Sequence, residues 1–176
     1  MSVDRVVQMS DVVIRPLGEP GDLGWVVQAH GEIYAAEYGW GFPFETLVAE
    51  IVTDYATTRL RDADGREAAW VATVDGERAG CIFCVRGDDE ATAKLRLLLV
   101  APSGRGSGLG GRLVDTCLDF ARSAGYKRMV LWTNDPLVAA RHIYLARGFQ
   151  LTGSEPHNTF GTGDVLSQTY ELDLTA

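Results

Sequence analysis

The chain has 176 residues, 46% hydrophobic and 23% charged, which is the makeup of a globular protein with enough apolar material for one good core. A formal net charge of −8 excludes a general affinity for nucleic-acid backbones, which takes a basic face. Three cysteines make no disulfide framework, no apolar run approaches bilayer length and the first residues lack a secretory core, so a cytoplasmic, non-membrane protein is expected.

Residues 1–10 read as a flexible leader, and residues 12–17 as a first strand. A turn at Glu19-Pro20-Gly21-Asp22 leads to a helix over 23–37, marked by Leu23, Val26, Val27, His30, Ile33 and Tyr34. Glycine and proline break it at 39–43. A second helix runs over 44–60, with Phe44, Leu47, Val48, Ile51, Val52 and Tyr55 in period. The connection between these helices holds Tyr38, Trp40 and Phe42 where a spacer would be polar. Such rings either pack a substrate's apolar body or an amine cation, with Glu37 and Glu45 at hand, or cap the local core.

A polar loop over 61–67 precedes two strands, 69–74 and 78–85, joined at Asp75-Gly76 as a hairpin. Cys81 and Cys84 fall inside the second strand, where small buried thiols are expected rather than a redox pair or zinc ligands. His30, His142 and His157 show no ligand spacing, so no metal site is expected. After a turn over 86–92, residues 95–100 form a nearly continuous apolar strand, which Pro102 stops. Arg105-Gly106-Ser107-Gly108-Leu109-Gly110-Gly111 follows and opens a helix carried by Leu109, Leu113, Val114, Cys117, Phe120, Ala121 and Ala124.

Gly125 ends that helix, and residues 128–134 form a strand parallel to 95–100, because a crossover helix joins them. A last helix starts at Asp135-Pro136, carries Ala139, Ala140, Ile143 and Tyr144, and is capped by Gly148. Residues 149–153 and 166–174 close the sheet as an antiparallel pair. A long loop containing His157 joins them. No repeat or second domain is evident, so residues 1–176 are expected to form one domain.

The glycine turn carries the chemistry. Without Cβ atoms, successive N–H groups can converge at a helix start, where the first donors lack internal partners. That makes an anion site suited to phosphate, with Arg105 adding charge-assisted hydrogen bonds. The alternative is a purely structural turn. Gly106-x-Gly108-x-x-Gly111 matches the dinucleotide fingerprint in letters, but residues separate strand from glycines and no acidic residue follows about 20 positions on. A phosphate-binding Walker loop would end in Gly-Lys-Ser/Thr, whereas this one ends in Gly-Gly-Arg.

Arg105-Gly106-Ser107-Gly108-Leu109-Gly110 resembles the Gln/Arg-x-x-Gly-x-Gly/Ala motif of the GCN5-related N-acetyltransferase (GNAT) family. Asn134 and the segment Ala140 to Phe149, with Tyr144 and Gly148, are similar to the family's Asn…Ala-x-x-x-Tyr…Gly-Phe ending, with a few extra residues between Asn134 and Tyr144. The resemblance implies an α/β (α+β) fold: a mixed sheet of six to seven strands with a splayed parallel pair, flanked by about four helices. It implies acetyl-CoA as cosubstrate. Leu98, Leu99 and Val100 would pair with its pantetheine arm, Arg105 to Gly111 would take its pyrophosphate, and Asn134, Ala140 and Tyr144 would also contact it. Tyr144 matches the family's general acid. Tyr38, Trp40, Phe42, Glu45 and His157 would contact the acceptor. Glu37 and Glu45, with His30 and His157, are the candidates for base or substrate contact.

The acceptor implied is an amine of a small molecule or peptide, and an acidic chain favours a cationic one. A non-catalytic acyl-CoA sensor and transfer of a longer acyl group stand as alternatives, and a homodimer is consistent with similar proteins. Residues 32–40, 94–100, 131–134 and 155–157 also look like the acetyltransferase half of MarR-type regulator–acetyltransferase fusions. No helix-turn-helix half is present, so no DNA binding is carried over.

Overall fold

The computed structural model describes residues 10–61 and 64–176. The expected leader, apart from Ser10, lies outside the described residues. In chain order the elements are β1 (Val12–Pro16), α1 (Asp22–Tyr38), α2 (Phe42–Arg61), β2 (Ala68–Val74), β3 (Glu77–Arg86), β4 (Thr92–Val100), α3 (Leu109–Ser123), β5 (Arg128–Asn134), α4 (Val138–Ala146), β6 (Gln150–His157) and β7 (Val165–Asp173). The strands form one seven-stranded sheet in the order β1-β2-β3-β4-β5-β7-β6. Among the described residues only β4 and β5 pair in parallel. This is the mixed α/β architecture expected, with four helices.

Each face of the sheet has its own apolar layer. On one face Leu109, Leu113, Val114, Cys117 and Ala121 of α3 pack on Ile82, Cys84, Leu95, Met129 and Leu131. On the other, Val26 and Tyr34 of α1 and Phe44, Val48, Val52 and Tyr55 of α2 pack on Cys81, Phe83 and Leu99. Strand alternation sends Cys81 and Cys84 to opposite faces. Both are buried and free, as the strand reading required.

The expected boundaries shift in three places. α2 starts at Phe42 rather than Phe44, since proline is tolerated in a first turn and Pro43 sits there. α4 starts at Val138, not Asp135, because Asp135 is tied to β7: its N–H donates to the Leu166 carbonyl and its Oδ1 accepts from the Leu166 amide. β6 runs on to His157, so this residue ends a strand instead of lying in a loop.

The feature that shapes the cleft is a bulge in β4. Cys81 pairs with Leu99 and Phe83 with Arg96, so Leu97 and Leu98 together oppose Ile82 alone. Leu97 takes φ of 55°, a left-handed conformation that costs a non-glycine residue about 1–2 kcal/mol. The Cys81 thiol donates to the Leu97 carbonyl at 3.2 Å. An extra residue inverts the alternation beyond it. Leu98 and Val100 therefore join Leu95 on the α3 face, while Leu97 and Leu99 face α1 and α2. Beyond the bulge β4 leaves β5: their parallel pairing covers only Thr92–Leu95 against Arg128–Leu131, although β5 stays paired with β7 to Asn134.

A carboxylate fastens α1 to the sheet. Asp22 has no exposed side-chain surface and accepts from Arg15 of β1 at 2.8 and 2.9 Å, from Arg78 of β3 at 2.9 Å, and from the Gly18 and Glu19 amides. The Arg15 guanidinium, above all, holds its carboxyl well below the usual carboxylate range. Replacing Asp22 with Ala leaves the Gly18 and Glu19 amides without their acceptor and Arg15 and Arg78 with only Glu19 and main-chain carbonyls, so Asp22→Ala is expected to lower stability by about 3 kcal/mol in urea unfolding. The contribution of the ionised group is fully present above pH 3.8, its ordinary value, and is lost as the pH falls further.

Candidate active site

The glycine turn sits where the splayed strand ends. A single 3-10 turn at Pro102–Gly104 leads out of β4. Gly106 (φ 80°) and Gly108 (φ 73°) both adopt left-handed conformations, and Gly108 is the N-cap of α3. The first in-helix bond runs from the Arg112 amide to the Gly108 carbonyl. The helix thus leaves the amides of Leu109, Gly110 and Gly111 free for an anion. Gly110 and Gly111 serve packing: a Cβ there would lie 2.7 Å from Ile143 and 2.6 Å from Arg147, so their bare backbone lets α4 approach α3.

A cleft of about 620 Å³ opens at this point. Its wall along β4 is Leu98, Leu99 and Val100, and its end is Arg105, Gly106, Gly108, Leu109, Gly110 and Gly111. Ile33, Tyr34, Glu37 and Tyr38 of α1 form one side, and Ala140 and Ile143 of α4 with Arg147 just beyond it the other. A smaller cavity of about 90 Å³ lies next to it, lined by His30, Tyr34, Trp40, Phe44, Arg96, Leu97, Trp132, Asn134 and Tyr144 among others. Tyr34, Leu98, Leu137 and Ala140 line both, so the two spaces meet at the splay.

The residues singled out from the sequence divide accordingly. Leu98 to Val100, Arg105, Gly106, Gly108 to Gly111, Ala140, Glu37 and Tyr38 meet in the cleft. Asn134, Tyr144 and Trp40 belong to the small cavity. Ser107 turns its hydroxyl back to donate to the Gly104 carbonyl at 2.8 Å. Phe42 is 83% exposed at the start of α2 and lines neither space. Glu45 is exposed and lies over Gly31 of α1, also away from both. His157 lines neither, but its Nε2 lies 2.7 Å from Asn134 Oδ1, and its ring packs on Trp132 and Phe160.

Tyr34, Arg96, Trp132 and Arg147 line these spaces without having been singled out. Tyr34 hid within the helical apolar stripe. Arg96 was visible as a charge interrupting a buried leucine strand, the signal that could have found it.

The electrostatics follow from burial. Burial pushes the Tyr34 and Tyr144 phenols above their ordinary value, so both stay protonated and able to donate. His30 Nδ1 lies 2.7 Å from the Val26 carbonyl, which can only accept, so Nδ1 carries the proton and Nε2 is left as an acceptor. Burial pulls the His30 pKa down to about 4, so the ring is neutral at pH 7. Glu37 pairs with Arg105 at 2.7 Å across the cleft mouth and raises the arginine's pKa. Arg147 is held by Asp115 through two bonds of 2.6 and 2.9 Å. Among the described residues no group of three His, Cys, Asp or Glu could hold a metal, and no helix is long and apolar enough to cross a membrane.

The buried histidine sets a pH window. Its pKa is depressed from 6.5 to about 4, so the unfolded chain binds a proton in that range that the folded protein refuses. Stability from this source is complete above pH 6.5 and falls by roughly 3 kcal/mol as the pH drops to 4. Urea unfolding at a series of pH values is expected to show that slope, and His30→Gln to flatten it.

The family model described as acetyltransferase (GNAT) family matches residues 27–149. N-acetyltransferase 8F1 of Rattus norvegicus is 32% identical over 118 residues, which cover 64% of this chain and 53% of that protein. The chain spans about half the length of the N-acetyltransferase 8 relatives it matches. Among solved structures, a proposed acetyltransferase from Salmonella typhimurium with its cofactor acetyl-CoA superposes with a TM-score of 0.71 at 19% identity, over 93% of this chain and 94% of that one. Spermidine N-acetyltransferase from Vibrio cholerae, solved with CoA and spermine, superposes with a TM-score of 0.68 at 18% identity, over 93% and 96%. At such identities these likenesses concern the fold.

Proposed function

The chain is an acetyltransferase domain of the GNAT family, and on that footing we propose that it transfers an acetyl group from acetyl-CoA to a primary amine by direct attack on the thioester. The observation that carries this reading is the cleft at the β4–β5 splay, walled by the backbone of Leu98 to Val100 and ended by free amides at the start of α3. The residues fit the cosubstrate. The α3 amides with Arg105 suit a diphosphate, and the unpaired edge of β4 suits an amide-bearing arm.

Acetyl-CoA supplies an activated acyl group as a thioester. The chain's own residues have three tasks. A main-chain N–H near Leu99 or Val100 donates to the oxygen on which negative charge develops. Tyr144, kept protonated by burial and lining the small cavity, donates a proton to the departing sulfur. The third task falls to the amine side. Glu37 is engaged with Arg105 and Glu45 lies away from both spaces, so neither is well placed as a base. The lone pair of neutral His30 Nε2 can accept a hydrogen bond from an incoming amine and orient it.

Tyr144 lines the small cavity beside the splay. A proton donor at that position favours turnover over mere sensing. The narrower likeness to the MarR-type fusions remains part of this reading, and no DNA binding is inferred from it.

Thiol release with a panel of amines tests the proposal. Tyr144→Phe is expected to lower kcat about 100-fold with KM for acetyl-CoA within about threefold of the parent. Gly108→Val, which forces a branched side chain into a left-handed N-cap, is expected to raise that KM about tenfold. An unchanged rate for Tyr144→Phe would favour the sensor.

A further inference from the structure

The small cavity contains one unspent cation. Arg96 stands immediately before the bulge and lines the cavity with Leu47 and Ile51 of α2 and with Trp132 of β5. The other ionisable groups lining it are neutral His30 and the phenols of Tyr34 and Tyr144. Arg15, Arg78, Arg105, Arg128 and Arg147 each hold a carboxylate in this acidic chain. Arg96 makes no hydrogen bond or ion pair with any described residue. Asp54 of α2 attracts it only from beyond ion-pair distance, while burial disfavours its charge.

A half-buried guanidinium without an acceptor carries an uncompensated desolvation cost. It also keeps its proton and presents five donors in a fork that matches a carboxylate. The cavity, about 90 Å³, is otherwise lined mostly by apolar side chains, so a carboxylate entering it finds this guanidinium as its cationic partner. Tyr34 and Leu98, shared with the cleft, lead from there towards the splay.

Resting on the acetyl-transfer reading, we infer that Arg96 binds a carboxylate of the acceptor, so that the acceptor is an amine that also bears a carboxylate, an amino-acid-like zwitterion. The net charge of −8 disfavours anions approaching from afar, but a zwitterion carries little net charge and is sorted by the local site. A site built to bond a charged group rejects the analogue that lacks it.

Two measurements on the whole chain test this, with acetyl-CoA binding as the check that each variant is folded. In the first, thiol release is followed with free L-amino acids and with the corresponding amino-acid amides. The parent is expected to prefer the acid by about tenfold or more in kcat/KM. Arg96→Gln should bring the ratio near one, and Arg96→Lys should leave it between. A parent ratio near one, or an undiminished ratio in Arg96→Gln, overturns the inference.

The second measurement does not depend on turnover. Tryptophan fluorescence, reporting through Trp40 and Trp132 of the cavity, is followed on titration with propionate and with propionamide. Saturation with propionate alone, lost in Arg96→Gln, supports the carboxylate site. Equal responses to both probes, or no response to propionate, overturn it. Absence of thiol release with every amine would sink the acetyl-transfer reading while the fluorescence result still decides whether Arg96 binds a carboxylate.

Discussion

The extra residue in β4 is the constraint on which the rest depends. Parallel strands β4 and β5 start in register and would stay so if both kept a simple pleat. Placing Leu97 and Leu98 against Ile82 alone bends β4 away and reverses which of its side chains meet α3. One local strain, a leucine at φ of 55°, thus opens the sheet at its centre. It frees main-chain groups of Leu98 to Val100 along a cleft and turns the remaining strand towards the α3 start. Cys81 contributes from the neighbouring strand by donating to the bulge carbonyl, a structural use of a buried thiol.

The two faces of the sheet then divide the work. On the α3 face the aliphatic side chains of α3 itself fix the glycine turn. Gly110 and Gly111 allow α4, with Ile143 and Arg147, to close over that turn. The α1–α2 face is aromatic: Tyr34, Trp40, Phe44 and Phe160 pack with ring centroids 4.7–5.6 Å apart. This cluster walls the small cavity and keeps it largely apolar, which is why its few polar groups matter. Asp22 anchors α1, and with it His30 and Tyr34, to β1 and β3 at the other end of the helix.

Much of this was legible in the chain itself. Periodicity and glycine placement located all seven strands and four helices, because each buries an apolar stripe or alternation of its own. The glycine turn was readable as a strand-to-helix junction because Gly106 and Gly108 take the left-handed conformations that glycine favours. The bulge was not readable: five apolar residues between Leu95 and Val100 look the same whether or not the pleat slips. Phe42 and Glu45 were grouped with Trp40 by sequence proximity, yet the start of α2 turns Phe42 outwards while Trp40 is buried. His157 stands beside Asn134 through β6–β7–β5 pairing, a juxtaposition that spacing along the chain does not contain.

The central claim is that main-chain groups at the end of β4 and the start of α3 hold acetyl-CoA. Amide hydrogen exchange measured residue by residue, with and without saturating coenzyme, reads those groups directly. The account predicts new protection at Val100 and the amides of residues 106–111, with β1 and β6 unchanged. Coenzyme binding that left these amides exchanging at their free rates, or that protected a different edge of the sheet, would contradict it.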